Sequence, residues 1–162
     1  MNGSRRYKAA LAAQLGLLVY FELCILVPLG RWNDQPGMSA FTPANMTLGA
    51  IIAAAQGLLL MGTVWRLKPL LWLGLVGDSI WLLLHFSSLW GPYILGASPS
   101  YAAMYERVFA RTTKLLPSFG NHLAPDAMHI FIDLFLIAVL VTLIRYVAWP
   151  AHCGTADRQN TT

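Results

Sequence analysis

The stretch PDAMHIFIDLFLIAVLVTLIR, residues 125–145, decides the fold. It matches the roughly 20 apolar residues that cross a bilayer as a helix, yet its first third carries Asp126, His129 and Asp133. At about 100° per residue these three fall within about 60° of one another, as one polar stripe on one helix face. Ionisable groups inside a membrane span are expensive and ordinarily face a bundle interior or a water-filled cavity. Such a span needs neighbours.

The rest of the chain supplies them. Of 162 residues, 57% are hydrophobic and 11% charged, against roughly 25% charged in a soluble domain. Too few charged side chains exist to cover an exterior in water, so lipid is the fitting solvent. In hydrocarbon only helices and closed barrels satisfy their own backbone groups. A barrel needs alternating segments of about 10 residues, whereas the apolar runs here are continuous and about twice that length. The expected fold is all-α: an integral membrane four-helix bundle with an interfacial helix between spans three and four. One transmembrane domain is expected over 1–150, followed by a disordered cytoplasmic tail over 151–162.

A basic head (Arg5, Arg6, Lys8) precedes a first span from about Ala9 to Leu29. That run is too long for a signal peptide and contains Glu22, so it reads as a retained anchor. The second span, about Asn45 to Trp65, repeats small residues at Gly49, Ala53 and Gly57, a seam for close helix approach. The turn Arg66-Leu-Lys-Pro69 joins it to a third span, about Leu70 to Trp90, with Asp78 and His85 inside. Between Gly91-Pro92 and Pro125, residues Tyr101 to Leu116 have an amphipathic pattern and are expected to lie on the membrane surface. Lys and Arg are more frequent on the side shared by the termini, which predicts both termini in the cytoplasm, in a bacterial inner membrane or endoplasmic reticulum. The net charge of +4 arises beside the apolar spans, and no nucleic-acid motif accompanies it, so no nucleic-acid partner is expected. The cysteines, Cys24 and Cys153, fall at different depths and form no CxxC. A homo-oligomer is left open.

With each span centred in a core of about 30 Å, Glu22, His85 and Asp133 fall in one layer of the outer half. His129 and Asp126 lie further out, and Asp78 lies slightly to the cytoplasmic side of centre. Asp78, Trp81 and His85 repeat the spacing of Asp126, His129 and Asp133, so each triplet covers one face. The plainer reading makes these residues interhelical hydrogen-bond glue. Five or six of them in one small protein favour a pocket instead. No Lys or Arg lies within the spans, so at least one of Glu22, Asp78 and Asp133 is expected to remain a neutral acid at pH 7. A neutral buried acid donates a proton to an apolar substrate, and a histidine beside an ionised carboxylate takes one back.

The candidate catalytic residues are therefore Glu22, Asp78, His85, Asp126, His129 and Asp133. Trp81, Gln56, Tyr20 and Phe86 are candidate walls for an apolar small-molecule substrate, with the lipid bilayer as the surrounding partner. Asp126-Ala-Met-His129 matches half of the carboxylate-x-x-His unit of dimetal bundles, but span three carries no second copy. No metal and no other cofactor is assigned.

The four-span length and Glu22 resemble the small multidrug-resistance transporters, which exchange protons for drugs through such a glutamate. That resemblance implies a proton-coupled carrier with Glu22 as its titrating group. The connection of about 30 residues before the last span and the further acids depart from that family. The Glu-Arg-x-x-x-Asn signature of membrane glutathione enzymes fails, because Glu106-Arg107 is followed by Val-Phe-Ala-Arg. No family is assigned. Two functions stand in front: an intramembrane acid–base enzyme (isomerisation, epoxide opening or cyclisation) and a proton-coupled carrier. A non-catalytic membrane subunit is the remainder.

Overall fold

The computed structural model describes residues 3–36 and 42–148. The tail, with His152 and Cys153, lies outside the described residues. Among the described residues four helices are long and apolar enough to cross a membrane: Gly3–Leu26, Pro43–Val64, Lys68–Leu95 and Ala127–Val147. The first two are α1 and α2. The third span is composite: α3 (Lys68–His85), a π-helical turn (Phe86–Trp90) and α4 (Gly91–Leu95). A loop helix, α5 (Pro99–Phe109), precedes the last span, α6 (Ala127–Val147). The spans pack in a ring, α1 on α2, α2 on α3, α3 on α6 and α6 back on α1. The chain is a multi-pass, all-α membrane bundle.

Its exterior identifies the solvent. Leu83 is 67% exposed, Leu84 61% and Ile51 60%, all within spans and all apolar. Water would penalise such a surface, and lipid does not. The interior is narrow. On α6, Met128, Ile132, Leu136, Val139 and Leu143 form a buried stripe that meets Ala10, Leu17 and Cys24 of α1 and Leu71 and Leu75 of α3.

The turn between α2 and α3 is as tight as its sequence suggests. Arg66 adopts a left-handed backbone (φ 55°), and the Leu67 amide donates back to the Gly62 carbonyl at 2.9 Å, which closes the end of α2. A Cβ on Gly62 would lie 2.5 Å from the Leu70 Cβ, so this close approach requires glycine. The seam expected at Gly49, Ala53 and Gly57 is only partly used. Gly49 lies under the Glu22 carboxylate, whereas a Cβ on Gly57 would meet nothing within 4 Å.

Two boundaries differ from expectation for identifiable reasons. The third span does not stop at Trp90. Pro92 lacks the amide that would bond to the Ser88 carbonyl, and the helix adapts by widening into a π turn and continuing to Leu95. The Tyr101 hydroxyl donates to that Ser88 carbonyl in its place. The loop helix ends at Phe109 and not at Leu116. Beyond it the backbone forms tertiary bonds: the Thr113 amide donates to the Arg31 carbonyl (2.7 Å), and the Ala127 amide donates to the Thr113 carbonyl (2.8 Å). Lys114 thereby faces Asp126 in an antiparallel bridge.

These bonds build a cap over the loop-rich end of the bundle. Asn33 donates to the Cys24 and Val27 carbonyls at 2.8 Å each, satisfying the frayed end of α1. Arg111 pairs with Asp34 at 2.7 Å and ties the two loops together. Tyr105 is buried with Ala97 and Leu123, and its hydroxyl donates to the Ala124 carbonyl.

Candidate functional site

Where the cap meets the bundle, α6 begins with Asp126 as its N-cap. One carboxylate oxygen accepts from the His129 amide at 3.1 Å. The other lies 2.7 Å from the Nδ1 of the same histidine. Asp126 is wholly buried. One helical turn further on, Asp133 forms a second pair across the α3–α6 boundary, its Oδ1 lying 3.1 Å from the Nδ1 of His85. The indole nitrogen of Trp90 donates to the other oxygen at 2.8 Å.

The π turn makes this three-way junction feasible. Five residues along a regular α-helix turn through about 500°, which would leave His85 and Trp90 about 140° apart. A π turn bonds i to i+5 and brings residues five apart to the same side. His85 and Trp90 consequently reach one carboxylate.

The two histidine rings are neighbours, with centroids 5.4 Å apart and planes inclined at 51°. Where the carboxylate is ionised it only accepts, so the Nδ1 of its pair donates, and in a neutral ring Nε2 then holds the lone pair. Neither Nε2 has a hydrogen-bond partner among the described residues, and the two side chains remain 18% and 16% exposed. Trp81 meets His85 edge-on at 6.0 Å and Phe21 at 5.2 Å. Phe109 of the cap meets His129 at 5.5 Å. The result is two buttressed imidazoles in an aromatic sleeve.

Lys114 sits behind Asp126. Its ammonium donates to the Phe109 carbonyl (2.7 Å) and to Thr112 (2.8 Å), and lies over the Tyr105 ring. Burial draws its pKa below the usual lysine range, against an upward pull from Asp126 and Glu106. Burial also pushes the phenol of Tyr105 up.

The structure brings four of the six nominated ionisable residues together: His85, Asp126, His129 and Asp133. Asp78 faces α2, where Gln56 donates to its Oδ1 at 3.2 Å. Glu22 lies on the α1–α2 seam against Gly49. Neither hydrogen-bonds to the histidine pair among the described residues. Trp81 stands beside His85, and Phe86 is half exposed on the lipid side. Tyr20 donates to the Met128 carbonyl (3.2 Å) and accepts from the Trp32 indole (2.8 Å), bracing the start of α6. Among the described residues no group of three His, Cys, Asp or Glu side chains is placed to hold a metal ion.

Sequence reasoning missed Trp90, Phe109 and Lys114. Pro92 was the signal for the first, since a proline inside an apolar run marks a kink or π turn as readily as an end. For the other two no local signal exists.

Beside Asp133 the bundle is grooved. A cleft of about 590 Å³ runs between the third span and α6, bounded by Leu82, Leu83, Phe86 and Trp90 on one side and Asp133, Leu134 and Ile137 on the other. No known protein family, curated protein or solved structure matches this chain. Fold and site together define a multi-pass helical membrane protein with a paired aspartate–histidine centre.

Proposed function

We propose that this protein is an intramembrane acid–base enzyme that relocates a proton on an apolar, lipid-like substrate, by isomerisation, epoxide opening or cyclisation. The observation that carries this reading is the pairing of His85 and His129, each held by its own carboxylate, with rings 5.4 Å apart. A reacting group that reaches both imidazoles from one side meets a base and an acid at once. One neutral ring accepts a proton at Nε2, while the other, entering protonated, returns one. Asp133 and Asp126 stabilise whichever ring is cationic and fix its orientation. In an isomerisation the protons balance, with one taken and one given. In an epoxide opening the protonated ring supplies the proton to the departing oxygen, and a neutral ring deprotonates the attacking water.

In this reading both termini are cytoplasmic, and the paired centre lies towards the outer side of the membrane. Asp78 and Glu22, nominated alongside the histidines, lie outside the pair and take no proton-transfer step in this reading. A proton-coupled carrier is the second reading. It is favoured by Glu22, whose Oε1 is buried without a partner among the described residues. The test is to incubate the purified protein in detergent with membrane lipid extract and to search for a product of unchanged or hydrated mass. The enzyme reading expects a product that disappears in His129→Ala. Solute flux driven by a pH gradient in liposomes, with no product in detergent, would replace it with the carrier.

A further inference from the structure

We propose that the cleft between the third span and α6 is the site for the substrate's hydrocarbon chain. It would be entered sideways from the bilayer, and it would take an uncharged long-chain alcohol with its hydroxyl at Asp133. This rests on the acid–base reading for the word substrate, although the cleft is a binding site in its own right. Its walls run from Ser79 to Trp90 on one side and from Ile130 to Leu140 on the other, about 15 Å along the helices at a 1.5 Å rise. A volume of about 590 Å³ lies within the roughly 300–1,000 Å³ of small-molecule sites. The slot therefore accommodates an extended chain parallel to the lipid tails.

Approach from the loop-rich end is obstructed. Phe109 stands against His129, Asp126 is wholly buried, and the two loops are bonded to each other through Arg31, Thr113, Asp34 and Arg111. The lipid side is open instead. Leu83, Phe86, Leu134 and Ile137 of the cleft are between 46% and 67% exposed.

Charge selects the head. Asp133 is the one ionisable group lining the cleft among the described residues, with no Lys or Arg beside it. A phosphate or carboxylate headgroup would meet that anion with no cation in the lining to offset it, which disfavours ordinary phospholipids and fatty acids. An alcohol suits what Asp133 has left. Each of its oxygens already accepts one hydrogen bond, from His85 and from Trp90, and each keeps a lone pair for a hydroxyl. An ammonium would add a full charge in hydrocarbon to a carboxylate that is already partnered.

The test uses three probes, an alcohol, a carboxylic acid and an amine, on the same long chain with the same diazirine at its middle. Each is photolysed with the purified full-length protein in nanodiscs, and the labelled peptides are mapped by mass spectrometry. The expected result is alcohol labelling concentrated on residues 79–90 and 130–140, at least about fivefold above the acid and the amine, and displaced by unlabelled alcohol. Leu83→Trp and Ile137→Trp, which fill the slot, should reduce that labelling to the level on the lipid face of α2. Even labelling of all lipid-facing helices, or equal or better capture of the acid or amine, overturns the proposal. Labelling requires no turnover, so His129→Ala should keep it. Lost labelling with intact turnover removes the slot alone, and labelling without turnover of any lipid removes the enzyme reading alone.

Discussion

Two polar regions of this bundle contain the same residue types in opposite states. Between the third span and α6, every oxygen of Asp126 and Asp133 has a donor: an amide, two imidazoles and an indole. Across the bundle, among α1, α2 and α3, the accounts stay open. Glu22 Oε1, Asp78 Oδ2, Gln14 Oε1 and Gln56 Oε1 are all buried without a partner among the described residues. Amide and ionised carboxylate oxygens only accept, and no donor stands opposite these four among the described residues. The difference teaches that a buried acid in lipid is not by itself a site. What distinguishes the α6 region is that a carboxylate holds and orients each imidazole, whereas buried polar atoms without partners weaken a fold.

The largest effect expected is a break in that contrast. Asp133→Asn retains the shape but loses the charge that orients His85, and should reduce turnover of whatever lipid the extract assay reveals by about 10²- to 10⁴-fold. Asp78→Asn should leave turnover within a small factor. Equal losses at both positions would erase the distinction between the two regions. Next in size is Trp90→Phe, which deprives Asp133 of a donor. It should lower unfolding stability in detergent by about 1.5–3 kcal/mol, the usual range for a hydrogen bond to a charged group. Pro92→Ala should move in the same direction, because a regular helix would rotate Trp90 away. A change in tryptophan emission would report this.

Asp78→Asn should change stability with the opposite sign. The asparagine oxygen still accepts from Gln56, while its amide supplies a donor to a region that lacks them, so thermal unfolding should shift upward by about 1 kcal/mol. A lower melting temperature would mean that the carboxylate has an unseen partner. The smallest effect concerns the cap. Burial raises the pKa of Tyr105, so the folded protein retains this proton at a pH where an unfolded tyrosine releases it. Its contribution is fully present below about pH 10 and is lost as pH rises beyond. Tyr105→Phe should therefore flatten the alkaline end of the stability profile by less than about 1 kcal/mol. The check is thermal unfolding across pH 8–11.

Much of the architecture was legible residue by residue. Four apolar runs, the Arg66–Pro69 turn and the polar stripe of Asp126, His129 and Asp133 all follow from local composition and helical spacing. Asp78, Trp81 and His85 do share a face, yet they meet Gln56 of α2, Phe21 of α1 and Asp133 of α6 in turn. Spacing could show that the face turns inward, but not which neighbour each level would find. Depth along the spans groups Glu22 with His85 and Asp133, but depth fixes height and not azimuth. In the ring of helices Glu22 faces Gly49 of α2.

The sequence by itself determined that this chain lives in lipid, folds as an all-α bundle and turns the acids of its spans inward, because solvation and the 3.6-residue period act on each segment separately. The tertiary structure decided which acid holds which histidine, that Trp90 joins them, and that a loop seals one end. Those outcomes depend on the helix order around the ring, on a π turn forced by Pro92, and on backbone bonds between loops distant in the chain. No single stretch of residues encodes them alone.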